Sequence, residues 1–146
     1  YASDFGMWNT DFGRVARHRK SIDAGNVKLI FNILPEAAKY LADRDIVEIA
    51  KSTVFNCKAD ALCVSGLTAG SETNSQILKR VKDTVPDTVV LANTGCRPDT
   101  IEAQLSVADG AVVGTTFKVD GKFENGVDEK RVREFMSIVK KFRGQE

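Results

Sequence analysis

The sequence contains no apolar run approaching the roughly 18 residues that a membrane span requires, which argues against a transmembrane helix. It also has no excess of charge of one sign, because 21 basic and 20 acidic side chains leave a formal net charge of +1. This balance gives no support for nucleic acid or an anionic membrane as the main partner. We expect a soluble intracellular protein, cytoplasmic or organellar, that at most lies at the periphery of a membrane.

Histidine and cysteine are scarce. The single histidine, His18, lies within a basic run that is typical of a solvated helix surface. Cys57, Cys63 and Cys96 are odd in number and match neither zinc-site nor CxxC spacing, so reduced structural thiols are expected. A Ser-His-Asp mechanism therefore has little support, and we expect neither a metal nor a cofactor.

Strands and helices are predicted to alternate along the whole chain. Short apolar runs that predict buried parallel strands lie at 27–34, 61–64, 88–92 and 111–113. Helices are expected from Asp11 to Ile22, with Val15 and Ala16 facing inward, and then from Asp43 or Asp45 and from near Ser71, Pro98 and Asp128. Four consecutive βα units favour an α/β fold with parallel strands. Half of a (β/α)8 barrel and an open doubly wound sheet both fit this alternation.

Glycine and hydroxyl side chains follow three of the four predicted strands. In either parallel architecture ligands bind beyond the carboxyl ends of the strands, where glycine lets backbone N–H groups approach an anion. These turns predict a phosphate-binding or substrate-binding rim formed by Ser65, Gly66, Thr68, Asn93, Thr94, Gly95, Gly114 and Thr115. The alternative is that these residues only form tight turns.

Candidates for a chemical role are weaker. Asp4 is a candidate general base or hydroxyl ligand, although loop aspartates usually form turns, and Asn32 would face the reacting end of a ligand. Glu36 is a candidate acid or base at the end of the first predicted strand. Arg97 and Lys118 are candidate phosphate partners, with helix initiation and solvent exposure as their alternatives. The catalytic residues therefore stay unassigned.

Six blocks of sequence carry a family resemblance over nearly the whole chain. In order they are SDFGM, VKLIFNI, ADRD, ADALCVSGLTAGSET, LANTGCRPDTIE and ADGAVVGTTFKVDGKFENGVDEKRVREF. Together they resemble the BtpA family, and the last block is the most specific. The resemblance implies a barrel of the type that binds ribulose phosphates. One member of the family is a thylakoid-associated factor needed for photosystem I accumulation, and others lie in carbohydrate-related operons without an assigned reaction.

The resemblance implies that residues 1–146 form one partial domain, the C-terminal half of a (β/α)8 TIM barrel. A complete barrel needs about 250 residues, so we expect either an N-terminal half or a second copy to complete it; an aggregation-prone fragment or splice product is the third alternative. Six of the rim residues match the family pattern: Ser65, Gly66, Thr68, Gly95, Gly114 and Thr115. The family's Asp near Asn32 and its Lys-His pair near Glu36 are absent.

Two functions are compatible with this sequence. The first is a presumptive enzyme site for a small phosphorylated metabolite of sugar or nucleoside type, in which backbone amides and hydroxyls hold the phosphate. The second is a non-catalytic assembly, biogenesis or stability factor for a larger protein complex, since a barrel can keep its pocket after losing its chemistry.

Overall fold

The computed structural model describes residues 1–66 and 73–145. Across these residues the chain forms a four-stranded parallel sheet, a small antiparallel sheet and five α-helices. The strands are β1 (Ala2–Ser3), β2 (Gly6–Met7), β3 (Ile30–Leu34), β4 (Ala38–Lys39), β5 (Ala61–Ser65), β6 (Val89–Asn93) and β7 (Gly110–Val112). The helices are α1 (Phe12–Ser21), α2 (Ile46–Cys57), α3 (Ser75–Thr84), α4 (Ile101–Leu105) and α5 (Glu129–Phe142). None of the helices within the described residues has the length and apolar character needed to cross a membrane.

The parallel sheet has the strand order β3-β5-β6-β7, so strands that follow one another along the chain are neighbours in space. A helix follows each of these four strands along the chain, although β4 comes between β3 and its helix. This order confirms the predicted α/β class and the four βα units of a half barrel. The observed strands begin up to three residues later, or one residue earlier, than predicted. The register places Ser65 beside Asn93, and Asn93 beside Val112, at the carboxyl edge.

Within the described residues, helices pack against only one of the two faces of the parallel sheet. The helices pack on one face, and the strand residues there are fully buried, as in Ile33 and Val90. On the alternate positions, Ile30 of β3, Val89 of β6 and Val112 of β7 keep 52%, 44% and 44% of their surface exposed. Since successive strand residues point to opposite faces, the face away from the helices is uncovered at these three strands, whereas every residue of β5 is buried.

Side-chain caps explain where most helices begin. Asp11, Asp45 and Asp128 each accept a hydrogen bond from a backbone N–H of the first helical turn, at the three positions where the sequence predicts a start. Asn74 does the same for α3, so that helix begins at Ser75 rather than near the predicted Ser71, which lies outside the described residues. The α4 helix has no side-chain cap and spans a little more than one turn.

The inner face of α1 differs from the prediction. Val15, predicted to face inward, is 44% exposed, and Ala16 is half-buried. The helix instead contacts the core through Phe12, whose ring stacks on that of Phe31 with 4.3 Å between centroids. The aromatic contact has more apolar area to bury than the small side chains have, so it sets the rotation of the helix.

The strands of the small antiparallel sheet were not among those predicted. Strand β1 pairs antiparallel with both β2 and β4, so the segment that follows β3 is tied to the start of the chain. Each of these strands has only two residues, which is too short for the alternation that identifies a strand in a sequence.

Two aspartates at the amino edge of the parallel sheet have the same kinds of hydrogen-bond partner, a backbone N–H and a basic side chain. Asp60, immediately before β5, accepts from the backbone N–H of Leu29 at 2.8 Å and from Arg19 of α1 at 2.6 Å. The Leu29 amide and the Arg19 guanidinium hold the pKa of the Asp60 carboxyl below its usual value. Asp109, immediately before β7, accepts from the Val90 N–H and from Lys82 of α3. The aspartate of each Ala-Asp pair thus links the start of its strand to the neighbouring parallel strand and to the helix that precedes that neighbour, α1 before β3 and α3 before β6.

Candidate functional site

A cavity of about 350 Å³ lies at the carboxyl edge of the parallel sheet. Its lining comes from the segments after β3, β6 and β7 and from α5. The lining residues are Glu36, Asn93, Thr94, Gly95, Cys96, Arg97, Val112, Gly114, Thr115, Thr116, Gly121, Phe123 and Arg131. We call it the rim cavity. Its volume lies within the range of about 300–1,000 Å³ that is typical of small-molecule sites.

The turn after β6 has an unusual backbone. Thr94 and Gly95 both have left-handed φ angles, of 69° and 61°. Glycine adopts this conformation readily, but for a β-branched residue such as threonine it costs of order 1–3 kcal/mol. The Thr94 hydroxyl accepts a hydrogen bond from the Gly66 N–H at 2.8 Å and so joins the turns after β5 and β6. Strain of this kind concentrates at functional sites, which makes this turn a candidate ligand contact.

The turn after β7 is open at its glycine. Gly114 precedes a short 3-10 helix at Thr115–Phe117, and a Cβ added at Gly114 would meet no heavy atom within 4 Å. The Thr116 hydroxyl donates to the Cys96 carbonyl oxygen at 2.7 Å, which fixes this turn against the turn after β6. The two turns therefore form one wall of the rim cavity, with free space in front of Gly114.

Arg131 brings a positive charge into the rim cavity from the first turn of α5. Its Nε donates to the Thr116 carbonyl oxygen at 2.8 Å, which holds the guanidinium against the wall. Among the described residues no carboxylate lies within 4.0 Å of it. The sequence reasoning missed this residue. Its spacing of four from the buried Phe135 was the available signal, because it places Arg131 beside the inward stripe of the helix.

Glu36 brings a negative charge to the same cavity from the segment between β3 and β4. One carboxyl oxygen, Oε2, is buried and has no hydrogen-bond partner among the described residues. Buried carboxylate oxygens are rarely left without a donor, because desolvation of a charge is costly. Among the described residues that line the rim cavity, Glu36 is the one acidic side chain, and its buried oxygen is available to a donor group of a ligand.

A three-residue amide network lies beneath the rim. The Ser65 hydroxyl oxygen accepts from the side-chain amides of Asn32 and Asn93, each at 2.8 Å, and so joins the middle of β3 to the ends of β5 and β6. Ser65 is 2% exposed. The Cys63 thiol lies two residues earlier on the same strand, and burial raises its pKa, which keeps the thiol neutral at physiological pH.

The predicted rim residues divide between two cavities. Five of them line the rim cavity: Asn93, Thr94, Gly95, Gly114 and Thr115. Ser65 and Gly66 line a neighbouring cavity at the start of α3, and Thr68 lies outside the described residues. Of the weak catalytic candidates, Asn32 is engaged by Ser65 and Asp4 is exposed in the turn between β1 and β2; neither lines the rim cavity.

The remaining candidates are accounted for by local contacts. Arg97 lines the rim cavity and pairs with Asp99 at 3.2 Å. Lys118 forms an isolated antiparallel bridge with Val127, and His18 lies exposed in the last turn of α1. The three cysteines are present as free thiols. Over residues 1–66 and 73–145, no group of three His, Cys, Asp or Glu side chains is placed to hold a metal ion.

Comparison with known proteins agrees with the sequence resemblance. The sequence model of the BtpA family matches residues 1–141. The sgc region protein SgcQ of Escherichia coli is 64% identical over 139 residues, which are 95% of this chain and 52% of that protein. An uncharacterised mitochondrial protein of Caenorhabditis elegans is 30% identical, covering 95% of this chain and 50% of its own length. The photosystem I biogenesis protein BtpA of Synechocystis is 24% identical, with 94% and 48% covered. The chain spans about half the length of these relatives.

Proposed function

This chain belongs to the BtpA family, and we propose that its rim cavity binds the phosphate group of a small phosphorylated metabolite of sugar or nucleoside type. The backbone N–H groups of the two glycine turns would contact the phosphate, with the Thr115 hydroxyl as a further donor. Arg131 would supply the positive charge. A preorganised set of donors of this kind binds an oxyanion without reorganising when the ligand arrives.

The observation that carries this proposal is the convergence of three separate segments on one cavity. The Thr94–Gly95 turn, the Gly114–Thr115 turn and α5 all contribute to its lining. The Arg131 guanidinium is held in place by Thr116 and has no acidic partner among the described residues. A positive charge that has no carboxylate partner among the described residues, placed beside two glycine turns, favours an anionic ligand.

Gly114→Asp tests phosphate binding directly. A Cβ at this position meets no heavy atom within 4 Å, so the substitution adds a negative charge to the rim cavity without a clash at the Cβ. Inorganic phosphate and ribose 5-phosphate should bind at least tenfold more weakly to this variant in isothermal titration, because like charges repel strongly in a partly buried site. Gly25→Asp is the matched control, since Gly25 lies in the loop before β3, at the opposite edge of the sheet, and is equally open.

Two results would contradict the proposal. One is the absence of binding by the unmodified protein to both phosphate compounds. The other is binding that Gly114→Asp and Gly25→Asp weaken to the same extent, since that would place the anion elsewhere or make the effect one of net charge alone.

The uncovered face of the sheet supports a further part of the proposal, namely that a second half barrel closes it. Ile30, Val89 and Val112 are exposed there, and the matched relatives are about twice as long as this chain. The partner that fits is the N-terminal half of the family's barrel. When co-expressed with the part of SgcQ that precedes its matched segment, this chain should form a 1:1 complex with a raised melting temperature. A stable homodimer that excludes that segment would contradict this.

A non-catalytic role in the assembly of a larger complex is the second candidate. The name of the Synechocystis relative, a photosystem I biogenesis protein, is the observation that favours it. Phosphorus NMR separates the two candidates, because conversion of a bound sugar phosphate would support an enzyme. Tight binding of ribose 5-phosphate without any conversion of it would favour the assembly role.

A further inference from the structure

The rim cavity is lined by side chains of both charges, among them Glu36 and Arg131. These two lie on segments that follow the two edge strands of the parallel sheet. Glu36 follows β3, whereas Gly114 follows β7, and these are the first and last strands of the order β3-β5-β6-β7. Three interstrand steps separate these two strands, although the segments that follow them line one cavity. A ligand that contacts both segments must therefore be longer than a free phosphate ion.

The backbone around Glu36 is fixed. The next residue, Ala37, has a left-handed φ of 53°, and its carbonyl oxygen accepts from the Asp4 N–H at 3.1 Å. The chain then enters β4, which pairs with β1. A left-handed conformation is unfavourable for a non-glycine residue, so the surrounding contacts must stabilise it. The small antiparallel sheet thus positions the carboxylate at the cavity.

The Glu36 carboxylate needs a donor that the described residues do not supply. Its buried Oε2 has no hydrogen-bond partner, and no cationic group described here lies within 4.0 Å of it. The phosphate of a monoester fills this role poorly at neutral pH, because it is mostly a dianion without an O–H group and its charge repels the carboxylate. A hydroxyl group can, since it donates a hydrogen bond to a carboxylate and the charged acceptor strengthens that bond.

Resting on the proposed phosphate site, we propose that Glu36 is a specificity-determining residue that binds a hydroxyl group of the ligand. The ligand class is then a phosphorylated polyol or sugar, with its phosphate at the turn after β7 and its hydroxyl at the segment after β3. Glu36 disfavours phosphate esters without a hydroxyl in two ways. Its oxygen stays without a donor when they bind, and its charge repels their phosphate.

The test compares two ligands of similar length. Ribose 5-phosphate carries hydroxyl groups, whereas n-pentyl phosphate has the same phosphate on a chain without them. The unmodified protein should bind ribose 5-phosphate at least tenfold more tightly in isothermal titration. In Glu36→Gln the ratio should fall to threefold or less, and the affinity for n-pentyl phosphate and inorganic phosphate should rise because a negative charge is removed.

Two further variants separate specificity from folding. Glu102→Gln removes the same charge from an exposed position on α4 and should leave the ligand ratio unchanged. Glu36→Asp keeps the charge but withdraws the oxygen by one methylene, so it should reduce the ratio without raising the affinity for inorganic phosphate. The urea midpoint of every variant should be measured alongside, so that binding is compared only among folded proteins.

The outcomes distinguish this proposal from the one on which it rests. If all three phosphate compounds bind but the ligand ratio is near one, or is the same in Glu36→Gln as in the unmodified protein, the role of Glu36 is refuted and the phosphate site stands. If a folded Glu36→Gln binds no ligand, Glu36 supports the site as a whole and the proposal also fails. If no phosphate compound binds the unmodified protein, the proposed function itself fails.

Discussion

Replacing Ser65 by alanine removes the shared acceptor of the amide network beneath the rim. The Ser65 hydroxyl accepts from Asn32 and Asn93 at 2.8 Å, so one substitution breaks the side-chain link between three strands. Alanine fits the space of serine and leaves almost no cavity, so the effect of the change reports mainly on the hydrogen bonds.

The expected loss in the free energy of unfolding follows from the burial of the three side chains. A neutral hydrogen bond contributes about 1 kcal/mol net, and an amide left without a partner costs about 1–3 kcal/mol when it is buried. Ser65 is 2% exposed, but both asparagines are only half-buried, so water can reach them in part. We therefore expect a loss of about 2 kcal/mol.

Equilibrium unfolding in urea measures this loss. With a typical dependence of 1–3 kcal/mol per molar urea, a loss of about 2 kcal/mol lowers the midpoint by about 1 M. Ser106→Ala is the matched control, because Ser106 is exposed and its hydroxyl donates only to the Ala103 carbonyl oxygen within its own helix. It should change the free energy of unfolding by less than about 0.5 kcal/mol.

A Ser65→Ala variant that unfolds at the same urea concentration as Ser106→Ala would refute the reasoning. That result would show that backbone hydrogen bonds between the strands are sufficient to hold β3, β5 and β6 together at this position. If the loss appears, the double variant with Asn32→Ala should lose less than the sum of the two single changes, since both remove the same bond.

Two further predictions concern the sheet. The unfolding free energy should decline as the pH falls below about 4, because the Asp60 carboxyl has a lower pKa in the folded chain and the unfolded chain takes up protons first. Asp60→Asn should flatten part of that decline in urea titrations at pH 7 and pH 3, and an unchanged slope would contradict the assignment. Gly110→Ala should cost about 1 kcal/mol, since its methyl group would lie 3.0 Å from a leucine side chain of β6. Gly126→Ala, with open space around it, is the control, and equal urea midpoints would contradict the packing argument.

The order of the elements was predictable because each depends on residues close together in the sequence. The apolar run at β5 and the aspartates that cap α1, α2 and α5 were identified from local pattern alone, and the structure confirms them. Strand limits shifted by up to three residues, since hydrogen bonding to a neighbouring strand decides where a strand begins. The pairing of β1 with β4 had no local signal at all.

The rim was partly predictable for a related reason. Parallel strands present their carboxyl ends at one edge, so the turns at Thr94–Gly95 and Gly114–Thr115 were expected to lie together, and both line the rim cavity. The same reasoning could not identify Arg131, because a charged residue on a helix is usually solvated and only the packing of α5 against the turn after β7 brings it inward.

The sequence by itself determined the alternation of strands and helices, the family and the glycine turns that follow the strands, because these are set by the local periodicity and conformational freedom of the chain. Tertiary structure alone decided that Ser65 joins two asparagines and that the buried oxygen of Glu36 shares a cavity with Arg131. These arrangements bring together residues up to 95 positions apart along the chain, as the span from Glu36 to Arg131 in the lining of one cavity shows. Contacts over such distances depend on strand register and helix packing, which no local pattern contains.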